Sequence, residues 1–168
     1  AETSPAAPVA ALKPASITVP TTKIISGGQT GVDQAGLKIG QNLGIETGGT
    51  VPKGFKTEDG SDLALSRFGV IESPSANYTV RTENNVVDSD GTVYFAIDTK
   101  SAGLRATKRF AKKHKKPFLL NPTAVELNKW LQDNNIKTLN VAGNRASKLT
   151  KFQQAEIEAT ISQAFTIV

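Results

Sequence analysis

Gly27-Gly28-Gln29-Thr30-Gly31 stands between the β-branched run Ile24-Ile25 and a segment with helical apolar spacing that begins at Val32. A strand, a glycine turn and a helix in that order suit phosphate binding. Glycines have no Cβ, so a ligand can come close to the backbone. The first N–H groups of the helix have no partner within it and carry the positive end of its dipole. The chemistry this implies is recognition of an anionic, nucleotide-like ligand. Three more polar segments follow or adjoin expected strands: Gly48-Gly49 with Lys53-Gly54, Asp98 to Gly103 with Ser101, and Gly143 to Lys148 with Arg145 and Ser147. In a parallel sheet such loops converge outside the carboxyl ends of the strands, where ligands sit. The turn is neither G-x-G-x-x-G nor a Walker A loop, which counts against a dehydrogenase and an ordinary P-loop nucleoside triphosphatase.

The elements that must position these loops alternate. Ile24–Ser26, Gly69–Glu72, Thr92–Ile97, Pro117–Leu120 and Lys137–Ala142 read as strands, with Pro117–Leu120 buried and Lys137–Ala142 the last inner strand. Val32–Leu43, Tyr78–Val87, Gly103–His114, Ala124–Asn134 and Thr150–Phe165 read as helices, and Gly44 is a fitting stop for the first. Glu46 to Gly60 has four glycines and a proline and reads as a long loop. The pattern predicts an α/β domain over residues 21–168, a Rossmann-like parallel sheet with helices on both faces. Residues 1–20 are rich in Ala, Pro and Ser and read as an extended N-terminal arm. The arm is expected either to pack on its own domain or to dock on a neighbouring chain, in a homo-oligomer or larger assembly, and its prolines, which fit a sheet core poorly, favour the neighbour.

Composition narrows the chemistry. The chain has 168 residues, enough for one domain with a real core. It has no Cys and one His, His114, which excludes thiolate catalysis and disulfides and argues against a His-rich metal site or a Ser–His–Asp triad. No apolar run approaches the roughly 20 residues that span a bilayer, so a soluble protein is expected. There is no Met, so the N-terminus at Ala1 is expected to be processed. Cytoplasm, organelle and virion all stay open. The formal charge is +5, yet Lys100 to Lys116 holds eight basic residues and no acidic one, which leaves 12 basic against 15 acidic residues elsewhere. Leu104, Thr107, Phe110, Ala111 and His114 recur at helical spacing and should face the sheet, with the cations outward. That outer face is either a solvated surface or a docking site for nucleic acid or an acidic partner.

ISGGQTGVDQAGL, GGTVPKGFKTEDG, SANYTVRTENNVVDSDGTV and LNVAGNRASK resemble, in order, the motifs of the family known as putative molybdenum carriers. That family lies in the wider Rossmann-like group of lysine-decarboxylase-like and lonely-guy phosphoribohydrolases and DNA-processing proteins. The resemblance runs from about Lys23 to the C-terminal helix. It implies a pocket for a nucleotide or a molybdopterin-like phosphate ligand.

Carried over by motif, Gly27, Gly28, Gln29, Thr30 and Gly31 form the first phosphate-facing turn. Asp33 is expected to cap locally or to be a surface charge. Lys53 either reaches an anion or is a solvated loop lysine. Arg81 contacts phosphate, and Asn85 bonds the ligand or pins a loop. Asp88 and Asp90 brace a turn into a strand. Gly143, Arg145 and Ser147 belong to the last motif, with Arg145 the anion candidate. At Lys100-Ser101-Ala102-Gly103-Leu104 the sequence departs from the family: Leu104 stands where a small hydroxyl residue is expected, which removes a phosphate hydrogen bond and adds bulk. Relatives that hydrolyse phosphoribosides carry a glutamate just after this turn, and Arg105 to Lys116 has no carboxylate. The leading expectation is therefore a binding or carrier protein without a catalytic residue or a metal site. The alternatives are a structural or assembly protein docking through its arm and, third, an enzyme acting on a nucleotide derivative.

Overall fold

A computed structural model describes residues 16–168; the expectations for residues 1–15 lie outside the described residues. The main sheet has five parallel strands in the order β2-β1-β9-β7-β8. They are β1 (Lys23–Ile25), β2 (Glu46–Gly48), β7 (Gly91–Phe95), β8 (Phe118–Leu120) and β9 (Thr138–Gly143). Strand β9, fifth of these in sequence, is the central one, with Ile24 opposite Leu139 and Tyr94 opposite Ala142.

Five helices cover the two faces: α1 (Val32–Asn42), α2 (Tyr78–Asp88), α3 (Ala102–Lys113), α4 (Ala124–Asp133) and α5 (Lys151–Ala164). Alternation along β7 shows why both faces need cover. Val93 and Phe95 join Leu127, Leu131, Ile157 and Ile161 in the core under α4 and α5, while Tyr94 joins Leu104 beneath α3. The helices start and stop by local rules. Thr123 with Glu126 and Thr150 with Gln153 form capping boxes on α4 and α5. Asn77 and Ser101 cap α2 and α3. The expected stop at Gly44 holds, since its φ is 73° just past α1.

Two sequence readings change. Glu46 to Gly60 is not one long loop: it supplies edge strand β2, then β3 (Thr50–Val51), which pairs with β6 (Ile71–Glu72), and a hairpin of β4 (Lys56–Thr57) and β5 (Gly60–Ser61). These strands have two or three residues, too short for alternation to show. Their excursion packs through Val51, Leu65, Phe68 and Val70 on Leu37 of α1. Strand β8 is at the sheet edge and only half-buried, not buried. Residues 16–20, the described end of the arm, lie on their own domain. Ile17 and Val19 pack against the core, and the Thr18 N–H donates to the Phe165 carbonyl at 2.9 Å.

Candidate functional site

A cleft of about 690 Å³ opens at the carboxyl ends of β7 and β9, walled by the first turns of α2 and α3 and by Gly143 to Arg145. Its charged lining is Lys56, Arg81, Lys100, Arg145 and Lys148 against Asp33 and Asp98, so cations predominate. The size suits a nucleotide-scale ligand.

The glycine turn stands behind this cleft rather than in it. Of its five residues only Gln29 lines the cleft; Gly27, Gly28 and Gly31 are buried. What comes close to the glycines is the protein itself. A Cβ on Gly27 would lie 2.5 Å from Arg81 Nη1, and one on Gly31, whose φ is 84°, would lie 2.5 Å from the Asn144 carbonyl oxygen. The side chains beside them are engaged as well. Gln29 Oε1 accepts the Thr30 and Glu58 N–H groups at 3.0 and 2.9 Å. Thr30 Oγ1 donates to Glu58 Oε2 at 2.5 Å and accepts the Ala146 N–H at 3.1 Å.

Asp33 is neither a cap nor a surface charge. It is 2% exposed, accepts the Gln29 N–H at 3.3 Å and faces Arg81 Nη1 at 3.8 Å. Burial pushes its carboxyl up to about 6, with the Arg81 charge and the Gln29 and Gly143 N–H groups pulling the other way. Arg81 is held against Gly27, donates to Thr82 Oγ1 at 3.0 Å and lies over the Tyr78 ring. Its Nε is buried with no hydrogen-bond partner among the described residues. Such a donor is costly unless something accepts from it.

The opposite wall is open. Asn144 Oδ1 accepts the N–H groups of Ile97 and Asp98, both at 2.8 Å, and so shapes the turn after β7. Asp98 accepts the Lys100 N–H at 3.0 Å and pairs with Lys148 at 3.3 Å; these two contacts, the backbone one first, hold its carboxyl below the ordinary value. Ser101 accepts the Leu104 N–H at 3.2 Å. Tyr94 sits beneath Gly103, and burial raises its phenol to about 12, so it presents a neutral hydroxyl. Leu104 does not add bulk to the cleft. It is 3% exposed and packs with Tyr94 and Ala96 in the core.

The structure therefore brings Gln29, Arg81, Ser101, Gly103, Gly143 and Arg145 to one cleft. Lys53 is exposed and lines none of it; Lys56, three residues on, does so over Tyr78. Asn85 pins strand β3 rather than a loop: it is 2% exposed and exchanges two hydrogen bonds with the Thr50 backbone, at 2.8 and 2.9 Å. Ser147 bonds Glu58 instead of facing the cleft. Asp90 braces its turn, accepting the Lys137 and Thr138 N–H groups at 3.0 and 2.9 Å. Sequence reasoning missed Lys56, Tyr78, Tyr94 and the site roles of Asp33, Asp98, Asn144 and Lys148. The last three stand in loops already marked by their position after strands.

Outward, α3 carries its cations as expected, with Leu104, Thr107, Phe110 and Ala111 buried below. His114 is half-buried and contacts Glu83 at 2.7 Å, where Lys113 also pairs at 2.8 Å. Among the described residues no helix is long and apolar enough to cross a membrane.

A parallel sheet covered on both faces, with a cationic cleft at its strand ends, defines a Rossmann-like α/β domain. The sequence description of the circularly permutated YpsA SLOG family matches residues 24–165, and the chain belongs to that family. It is similar to the crystal structure of a protein named putative molybdenum carrier protein from Syntrophus aciditrophicus SB. The identity is 34% and the TM-score 0.75, over 89% of this chain and 96% of that one. A far weaker likeness, 13% identity and a TM-score of 0.37 over 85% of this chain and 59% of the other, is to (E)-4-hydroxy-3-methyl-but-2-enyl diphosphate reductase. No curated protein matches the sequence.

Proposed function

We propose that the protein binds and carries an anionic small molecule in this cleft, a nucleotide or a phosphorylated cofactor of the molybdopterin type. The observation that carries the reading is Arg81: a guanidinium on the cleft wall, largely buried, with Nε unpartnered among the described residues. An oxyanion is the acceptor that completes it. Lys56, Lys100, Arg145 and Lys148 surround the same space. The first turns of α2 and α3, each over ten residues long, bring the positive ends of two helix dipoles to the wall. The outer cations of α3 draw anions toward the rim at Lys100. The similarity to a protein named as a molybdenum carrier supports the carrier sense. Binding rather than turnover fits the engaged state of both cleft carboxylates, Asp33 by Arg81 and Asp98 by Lys148.

Isothermal titration with nucleoside mono- and diphosphates and a phosphorylated pterin tests this. The expected result is binding by at least one of them, lost about a hundredfold in Arg81→Leu. Absence of binding by every anion, in a sample that unfolds cooperatively, would sink the reading.

A further inference from the structure

Three residues that the motifs mark for an anion, Thr30, Arg145 and Ser147, already hold one: the carboxylate of Glu58. Thr30 Oγ1 donates to Oε2 at 2.5 Å and the Ser147 N–H to the same oxygen at 3.0 Å. Ser147 Oγ donates to Oε1 at 2.6 Å, and Arg145 Nε lies 3.3 Å from it. Two hydroxyls, one amide and one guanidinium thus converge on both oxygens of a single carboxylate. The same donors would serve a tetrahedral oxyanion, which carries more charge and more acceptor positions than a carboxylate. The donors come from two loops, the glycine turn and the segment after β9, and the carboxylate comes from a third.

Glu58 sits at the tip of the β4–β5 hairpin. The hairpin holds its own shape, with Thr57 Oγ1 donating to the Gly60 carbonyl at 2.7 Å and accepting the Asp59 N–H at 3.1 Å. Its tip also keeps a second tie, the Glu58 N–H to Gln29 Oε1 at 2.9 Å, which does not use the carboxylate. The side chain can therefore leave the donors without unfolding the hairpin. It is already 16% exposed. Arg145 also lines the main cleft, and Lys56 of the same hairpin lines it from the other side.

We propose that Glu58 is a built-in competitor for the ligand. The cradle of Thr30, Arg145 and Ser147 is an oxyanion subsite beside the main cleft, for a phosphate group, and an incoming phosphate takes it by displacing the Glu58 carboxylate. The carboxylate ties the hairpin that carries Lys56 to the cradle, and its displacement leaves the hairpin tip held to the glycine turn through Gln29. Affinity is set by the difference between two anions at one set of donors, so weakening the internal one strengthens the external one. This inference rests on the reading of the cleft as an anion site and adds to it how that site is gated.

The test is calorimetric titration of inorganic phosphate and of a nucleoside monophosphate into full-length wild type, Glu58→Gln, and Glu58→Gln with Arg145→Ala. Gln removes the charge that competes and keeps the shape. The expected result is phosphate binding about tenfold tighter in Glu58→Gln than in wild type, and a return to wild-type affinity or weaker in the double variant. Free phosphate reports the subsite itself, and the monophosphate reports whether the cleft and the subsite bind one molecule. Nucleotide binding by wild type that Glu58→Gln leaves unchanged or weakens overturns the competitor and leaves the cleft reading intact. No binding of either anion to any variant overturns both. Should Glu58→Gln fail to fold, Glu58→Asp keeps the charge but withdraws the carboxylate by one methylene. It must show the same tightening, and its absence there overturns the proposal equally.

Discussion

The two walls of the cleft are built from similar residues and used differently. On the β1 side, polar groups are spent on one another: Gln29 Oε1 accepts two backbone N–H groups, and Thr30, Arg145 and Ser147 share Glu58. Its glycines are buried against Arg81 and against the Asn144 to Ala146 backbone. On the β7 side, Lys100, Ser101, Gly103 and Tyr94 face the cleft, ordered by short-range contacts within the turn and by Asn144 Oδ1, which accepts from Ile97 and Asp98. A glycine turn at a strand end is thus not by itself a surface for a ligand. Here it lets three loops close on each other, and the side chain it admits, Arg81, is what meets the cleft.

Gly31 breaks this comparison hardest. Its φ of 84° and a Cβ position 2.7 Å from the Ala146 nitrogen leave no room that a side-chain rotation could open. Gly31→Ala should cost ~3 kcal/mol or more, a fall in Tm of roughly 6–12 °C by thermal unfolding. At Gly27 the obstacle is the far end of the Arg81 side chain, which can move. Gly27→Ala should therefore shift Tm by less than about 3 °C while weakening anion binding about tenfold, through the displaced guanidinium. Equal losses of Tm in both variants would mean that the β1 wall is only packing.

Much of this was legible in the residues. The strand, turn and helix at Ile24 to Leu43, the pairing of polar loops with strand ends and the inner face of α3 follow from local spacing alone. Asp33 was not legible, because its burial depends on Arg81 being brought across from α2, and nothing near Asp33 in sequence announces a partner. Glu58 was hidden for a related reason: Gly-rich sequence reads as loop, and the two-residue strands that aim its side chain leave no periodicity. Leu104 was legible as apolar but misplaced. Helical spacing puts it under α3, away from the phosphate side, although the family comparison set it at the ligand.

Asp33 sharpens the comparison through pH. A carboxyl whose pKa rises from 3.8 unfolded to about 6 folded binds its proton more tightly in the folded state. The fold is therefore penalised once the group is charged in both states, above about pH 6, and the penalty fades as pH falls toward 4. Its ceiling is ~3 kcal/mol, reduced by whatever relaxation water and Arg81 allow. Asp33→Asn has no such proton to bind. Between pH 7 and pH 4.5, wild type should gain stability relative to Asp33→Asn in paired urea titrations. Parallel curves at all pH values would show that Asp33 stays charged beside Arg81 throughout.

The smallest effect belongs to the open wall. Lys148 is 44% exposed at the side chain and pairs with a half-exposed Asp98, an arrangement in which solvent screens most of the attraction. Lys148→Met should leave Tm within about 2 °C. Yet Lys148 lines the cleft with Arg145 and Lys100, and removing one of several cations near an anion lowers its affinity several-fold, more at low salt than at physiological ionic strength. Titration at two salt concentrations separates the two roles. A several-fold loss at low salt that shrinks at high salt, with Tm unchanged, places Lys148 in the binding field of a wall the fold does not need. A loss independent of salt would instead mean a direct contact with the ligand, and no loss at all would confine recognition to Arg81 and the β1 side.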